Sequence, residues 1–122
     1  MKLNHINESI YKYNQRYHVY ISKDGLILDE SFQVLKPWIN WKSNTGRSYY
    51  CLTLYDFYQH KFNRVFVHRL VAYCWCDGYE RGKVVDHIDN DPLNYHPSNL
   101  QWVTQSENIR KNPRGKSKKN QD

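Results

Sequence analysis

Val84-Val85-Asp86-His87-Ile88-Asp89-Asn90-Asp91 sets a carboxylate beside an imidazole at the edge of an apolar run. A loop rich in turn residues follows, with Asp91-Pro92 and His96-Pro97, and then a second short apolar run, Leu100-Gln101-Trp102-Val103. Thr104-Gln105-Ser106-Glu107 has the spacing of a capping box. In that motif the threonine hydroxyl accepts from the glutamate N–H, and the glutamate side chain reaches back. Asn108 then falls on the first full turn of a helix. A strand, a loop, a strand and a helix can be folded so that Asp86, His87 and Asn108 converge. Such a convergence would hold one hard cation and one proton acceptor, a minimal kit for cutting a phosphodiester.

Around this stretch lie 122 residues, enough for one domain or two very small modules with a modest core. Aromatic residues make up 16% of the chain, including 11 Tyr, so flat side chains must supply much of the burial. The formal net charge of +6 favours a polyanionic partner, most simply nucleic acid, although it also serves solubility. Three cysteines, an odd number without a Cys-x-x-Cys pair, argue against a disulfide framework and a four-cysteine zinc site. Cys51, Cys74 and Cys76 are expected as reduced, buried apolar groups. With no signal-like N-terminus and no apolar run approaching the roughly 20 residues of a membrane span, a soluble, cytoplasmic protein is expected.

Upstream, residues 1–15 show no clear period and read as irregular or a short helical turn. Tyr17–Ile21 and Leu26–Leu28 flank a Lys23-Asp24-Gly25 turn and predict a hairpin. A third β-prone run, Phe32–Leu35, stops at Pro37, and 38–46 reads as a loop. Ser48–Tyr55 alternates cleanly, with Tyr50, Leu52 and Leu54 on one face, and its partner is Lys61–Val67 across a turn at 56–60. Lys61 and Arg64 punctuate that second strand. A ribbon with basic and aromatic outward groups fits a DNA major groove, and equally an ordinary solvated sheet face. His68–Asp77 reads as a helix, with Val67, Leu70, Val71, Cys74 and Trp75 on one stripe and Gly78 at its C-terminal end. His68, at the helix start, is assigned to capping, packing or a phosphate contact rather than to metal. From Arg110 the chain turns basic, with six of its eighteen Lys and Arg residues in a short tail that suits phosphate binding or mere solvation.

Four motifs in order, Val67-His68-Arg69-Leu70-Val71-Ala72, Asp86-His87-Ile88-Asp89, Asn99-Leu100-Gln101-Trp102-Val103-Thr104 and Ser106-Glu107-Asn108, resemble the HNH homing endonucleases, in their phage-type branch without structural zinc. Tyr20-Ile21-Ser22-Lys23-Asp24-Gly25 is similar, more weakly, to the small β module often placed before such nucleases. The fold class this implies is α+β: an N-terminal antiparallel β module over 1–66 that contacts DNA, a ββα-metal nuclease unit over 67–112, and a basic tail over 113–122.

The resemblance also implies roles. Asp86 and Asn108 would hold one divalent metal, Mg2+ or Mn2+. His87 would be the general base, and Asn99 would tie down the loop and orient His87. Double-stranded DNA would be held by Lys61, Arg64, His68, Arg69, Arg110, Lys111 and Arg114. A monomer would nick, and a homodimer on DNA would break both strands, leaving 5′-phosphate and 3′-hydroxyl ends. Many relatives have a second ligand histidine where this chain has Asn108, and an oxygen donor there favours magnesium or manganese over zinc or nickel. Because neighbours on a regular strand face opposite ways, Asp86 and His87 predict a local departure from ideal pleat, or a site that wraps the strand end.

Asp89-Asn90-Asp91 lacks the following glycine and closing glutamate of a calcium loop, so Asp89, Asn94 and His96 are assigned to shaping the loop. Two rivals stand beside the nuclease: a non-catalytic, sequence-specific DNA-binding protein on the same fold, and RNA binding through the Tyr-rich sheet.

Overall fold

The structure, a computed structural model, describes residue 7 and residues 9–42 and 47–111. In chain order the elements are β1 (Tyr11–Asn14), β2 (Val19–Ser22), β3 (Ile27–Leu28), β4 (Trp38–Lys42), β5 (Arg47–Asp56), β6 (Lys61–Phe66), α1 (Val67–Trp75), β7 (Val84–His87), a 3-10 turn (Pro97–Asn99), β8 (Leu100–Val103) and α2 (Gln105–Lys111). The strands form three antiparallel sheets, β1-β2-β3, β4-β5-β6 and β7-β8. This is the expected α+β chain, with a β-rich N-terminal part leading into a ββα unit.

The three sheets meet on α1. Its stripe of Val67, Leu70, Val71 and Ala72 is buried. Against it pack Val19, Ile21 and Ile27 from the first sheet, Leu52, Leu54 and Val65 from the second, and Leu100 and Trp102 from the third. Burial of this stripe, rather than intrinsic propensity, is what makes a nine-residue helix worth forming. Two polar contacts pin the first sheet to the helix end. Trp75 Nε1 donates to the Ile21 carbonyl at 3.0 Å, and Lys12 Nζ to the Cys74 carbonyl at 2.9 Å.

A buried carboxylate joins the first two sheets. Asp56 closes the β5–β6 turn, its Oδ1 accepting from the N–H groups of Tyr58 and Gln59. Its Oδ2 accepts from Arg16 Nε, in the β1–β2 turn, and from Asn63 Nδ2, each at 2.9 Å. Burial alone would raise this carboxyl; the Gln59 N–H, the Arg16 guanidinium and the Tyr58 N–H together bring it below its ordinary value. Beside it Phe57 stacks flat on His18, with centroids 3.6 Å apart. β6 then passes into α1 with no intervening loop: Phe66 is still extended and Val67 is already helical.

Several expectations need correction. Tyr11–Asn14 is a strand, because β2 offers it an edge; Tyr-Lys-Tyr-Asn has no aliphatic residue to announce it. Trp38–Lys42 is a strand rather than a loop, since the ten-residue β5 is long enough to pair on both sides. Phe32–Leu35 is not a strand. Asp29 Oδ1 captures the N–H groups of Ser31 and Gln33, Phe32 sits at φ 63°, and only an isolated Leu28–Val34 bridge remains. α1 stops at Trp75 with Cys76 extended, so Gly78 lies beyond its cap. Cys51 is buried, whereas Cys74 and Cys76 are only half-buried; burial pushes the Cys74 thiol up to about 11. Among the described residues no helix is long and apolar enough to cross a membrane.

Ile21 is fully buried where the first sheet meets α1. Ile21→Ala is expected to cost about 2–4 kcal/mol in urea unfolding. A loss below about 1 kcal/mol would show that the first sheet does not share this core.

Candidate active site

The β7–β8 ribbon carries Asp86 and His87 on its first strand. Its register sets Asp86 opposite Gln101 and His87 opposite Leu100. Pairing is regular through His87, so the expected break in pleat is absent; the first departure is Asn90, at φ 66°. Asp86 (3% exposed) and His87 (7% exposed) therefore leave the strand on opposite faces. Any site that uses both must wrap the end of β7.

On one face Asp86 meets α2. Its Oδ2 accepts from Gln101 Nε2 and from Lys111 Nζ, both at 2.8 Å. The same ammonium donates to the carbonyls of His87, at 3.2 Å, and Ile88, at 3.1 Å. Three oxygens thus surround one cationic nitrogen. Asn108 lies one turn before Lys111, on the same side of α2, and is half-buried where the rest of that helix is exposed. The helix starts as the capping box requires: Thr104 N–H donates to Glu107 Oε1 at 2.8 Å, and Glu107 N–H to Thr104 Oγ1 at 3.1 Å. A carboxylate oxygen and two carbonyls already meet at the Lys111 ammonium, an oxygen-only donor set that fits a hard divalent ion. Among the described residues no three His, Cys, Asp or Glu side chains gather as a metal cluster.

On the other face His87 meets aromatic rings. His68 lies edge-on at 4.8 Å between centroids, and Tyr49 at 6.1 Å. Tyr49 and Phe66 in turn flank His68, at 5.1 and 5.5 Å. His68 is 8% exposed, and α1 has no side-chain cap. Of its three expected roles packing is the one observed. Burial first, then the neighbouring His87 and Arg69, push its imidazole down to about 3.

Asn99 braces the loop between the ribbon strands. Its Nδ2 donates to Asp89 Oδ1 at 2.9 Å and to the Asn94 carbonyl at 3.0 Å, while its Oδ1 accepts the Asp89 N–H. The Asn99 carbonyl accepts the Ile88 N–H at 2.7 Å. Asp89, further held by Asn94 Nδ2 and the Asp91 N–H, has its carboxyl lowered by Asn94 first and then by Asp91 and Asn99. Asp89 and Asn94 shape the loop as expected.

Lys61, Arg64, Arg69 and Arg110 are exposed. By register Arg64 shares a face with Phe62 and Phe66, whereas Lys61 projects to the other face. Arg64 and Arg69 bracket Phe66 at 5.5 and 5.4 Å. Lys111 pairs with Asp86 Oδ2. Arg114 lies outside the described residues. Sequence reasoning missed Gln101, which the hairpin register alone would have set against Asp86. It also missed Tyr49, whose approach to His87 depends on the packing of two separate sheets.

A family model described as HNH endonuclease matches residues 65–110. Over 43 residues the chain is 56% identical to the DNA endonuclease I-HmuI of Bacillus phage SP01, a match covering 35% of this chain and 25% of the phage protein. Over 45 residues it is 47% identical to an uncharacterised HNH endonuclease of Acanthamoeba polyphaga mimivirus, covering 35% of this chain and 11% of that one. A solved structure of DNA binding and cleavage by the HNH homing endonuclease I-HmuI superposes with a TM-score of 0.70 and 34% identity, over 91% of this chain and 64% of that chain. This chain therefore spans less than two thirds of each protein it matches.

Two predictions follow from the packing around the ribbon. His68 stays neutral in the fold but protonates in the unfolded chain below its ordinary 6.5, so stability should fall as pH drops from about 6.5 toward about 3. Between about pH 6.5 and pH 5 the loss should be about 1.5 kcal/mol, and His68→Phe should abolish that part of it in denaturant titrations. Asn99→Ala should cost about 2 kcal/mol and raise amide exchange at Ile88 and Asp89; unchanged exchange there would show that the loop does not depend on it.

Proposed function

Through residues 65–110 the chain belongs to the HNH endonuclease family, and we propose that it is a metal-dependent, homing-type endonuclease acting on double-stranded DNA in the cytoplasm of its host cell. The observation that carries this reading is the oxygen-lined cation position at the end of β7, where Asp86 Oδ2 and the His87 and Ile88 carbonyls already surround a positive charge.

Asp86 and Asn108 are the side chains that would hold one Mg2+ or Mn2+ there. When bound, such an ion supplies charge neutralisation on the phosphate and help for the departing 3′ oxygen. The rest falls to the chain. His87 takes the proton of the attacking water, since an imidazole can accept a proton at physiological pH. The two side chains leave β7 oppositely, so the scissile phosphate lies across the strand end near Ile88. Asn99 holds that turn in place by fixing the Ile88 and Asp89 backbone. Arg64, with Phe62 and Phe66 beside it, forms the outward face offered to the duplex, with Arg69 close by. Lys61, Arg110 and Arg114 add phosphate contacts, each of which increases salt dependence. One such site nicks; two, in a homodimer on DNA, cut both strands.

One observation favours the rival, a DNA-binding protein that does not cut: His87 keeps only 7% of its surface exposed. Plasmid nicking separates the two. With magnesium the wild type should nick and a chelator should stop it, while His87→Ala should lose at least about a hundredfold in rate and keep its DNA affinity within a few-fold. Equal nicking by wild type and His87→Ala would reject the assigned base.

A further inference from the structure

We propose that Lys111 is a built-in stand-in for the metal: its ammonium neutralises Asp86 in the ion-free protein and has to leave for the ion to enter. This rests on the reading of Asp86 as a metal ligand. Asp86 is 3% exposed, and a carboxylate so placed needs a compensating positive charge. Gln101 is neutral, so of the two groups on Oδ2 the charge comes from Lys111. An ammonium has three N–H donors, and here all three find oxygen: Asp86 Oδ2 and the carbonyls of His87 and Ile88. Those are the donors a hard cation would use, so ion and ammonium compete for the same oxygens.

The ammonium is also placed to be displaced. Lys111 is the last residue of α2, its side chain is 32% exposed, and α2 contains no buried residue. Withdrawing it breaks into no apolar core. Held in place, it stabilises the metal-free fold and weakens ion affinity through one and the same contact, which yields a linked pair of effects that a purely structural salt bridge does not.

The test uses the full chain without DNA, with Mn2+ and Mg2+ titrated by calorimetry and thermal unfolding run with and without saturating ion. Lys111→Met should bind Mn2+ roughly tenfold more tightly than wild type. Without ion its melting temperature should lie below that of wild type, and saturating ion should raise it by more than it raises wild type. Lys111→Arg, which keeps the charge, should bind as wild type does. If Lys111→Met does not fold, Lys111→Gln supplies the same comparison, since it is uncharged but can still donate to a carbonyl. Asp86→Asn separates the two layers of the argument. If Asp86→Asn loses ion binding while neutralising Lys111 leaves affinity unchanged, the stand-in is overturned and Asp86 remains a ligand. If Asp86→Asn binds as well as wild type, the ligand reading fails and this inference fails with it. Absence of ion binding in both wild type and Lys111→Met also overturns it.

Discussion

Neighbouring residues on a strand cannot face the same way, and the build of the C-terminal half follows from that rule at Asp86 and His87. A carboxylate and an imidazole side by side on β7 need support on both surfaces of a two-stranded ribbon, which is marginal by itself. α2 lies under one surface and brings Lys111 to Asp86. α1 and β5 lie over the other and bring His68 and Tyr49 to His87. The third sheet is thus covered on both surfaces, by α2 on the Asp86 side and by α1 and β5 on the His87 side.

Three aspartates meet the cost of burial or capture in different ways. Asp56 is enclosed by donors from two sheets, and its partners are backbone N–H groups, a guanidinium and an amide fixed by the fold. Asp89 takes its donors from the loop that it organises. Both are knots that hold chain segments together. Asp86 differs because its charged partner lies at the end of a helix that contains no buried residue.

Much of the architecture was legible because local signals agreed with the tertiary outcome. Ser48–Tyr55 alternates, Thr104 and Glu107 cap α2, and the 67–75 stripe has a helical period; each feature formed within a residue or two of where the pattern put it. The misses at Tyr11–Asn14 and Trp38–Lys42 share a cause. Both are edge strands whose existence depends on the neighbour they pair with, and no periodicity in so few residues encodes a neighbour. Phe32–Leu35 failed the other way, because the Asp29 side chain outcompeted a sheet for the local N–H groups. At the site, residue types and order were readable from motifs, whereas the Lys111 contact was not. It spans 25 positions and joins two residues to which the motifs assign separate roles.

The uninterrupted passage from Phe66 into Val67 has a mechanical meaning. With no loop to absorb rotation, β6 and α1 act as a single lever. His68, the second residue of that helix, rests its ring against His87. The outer sheet and the surroundings of His87 are therefore joined through one continuous stretch of backbone and one ring contact.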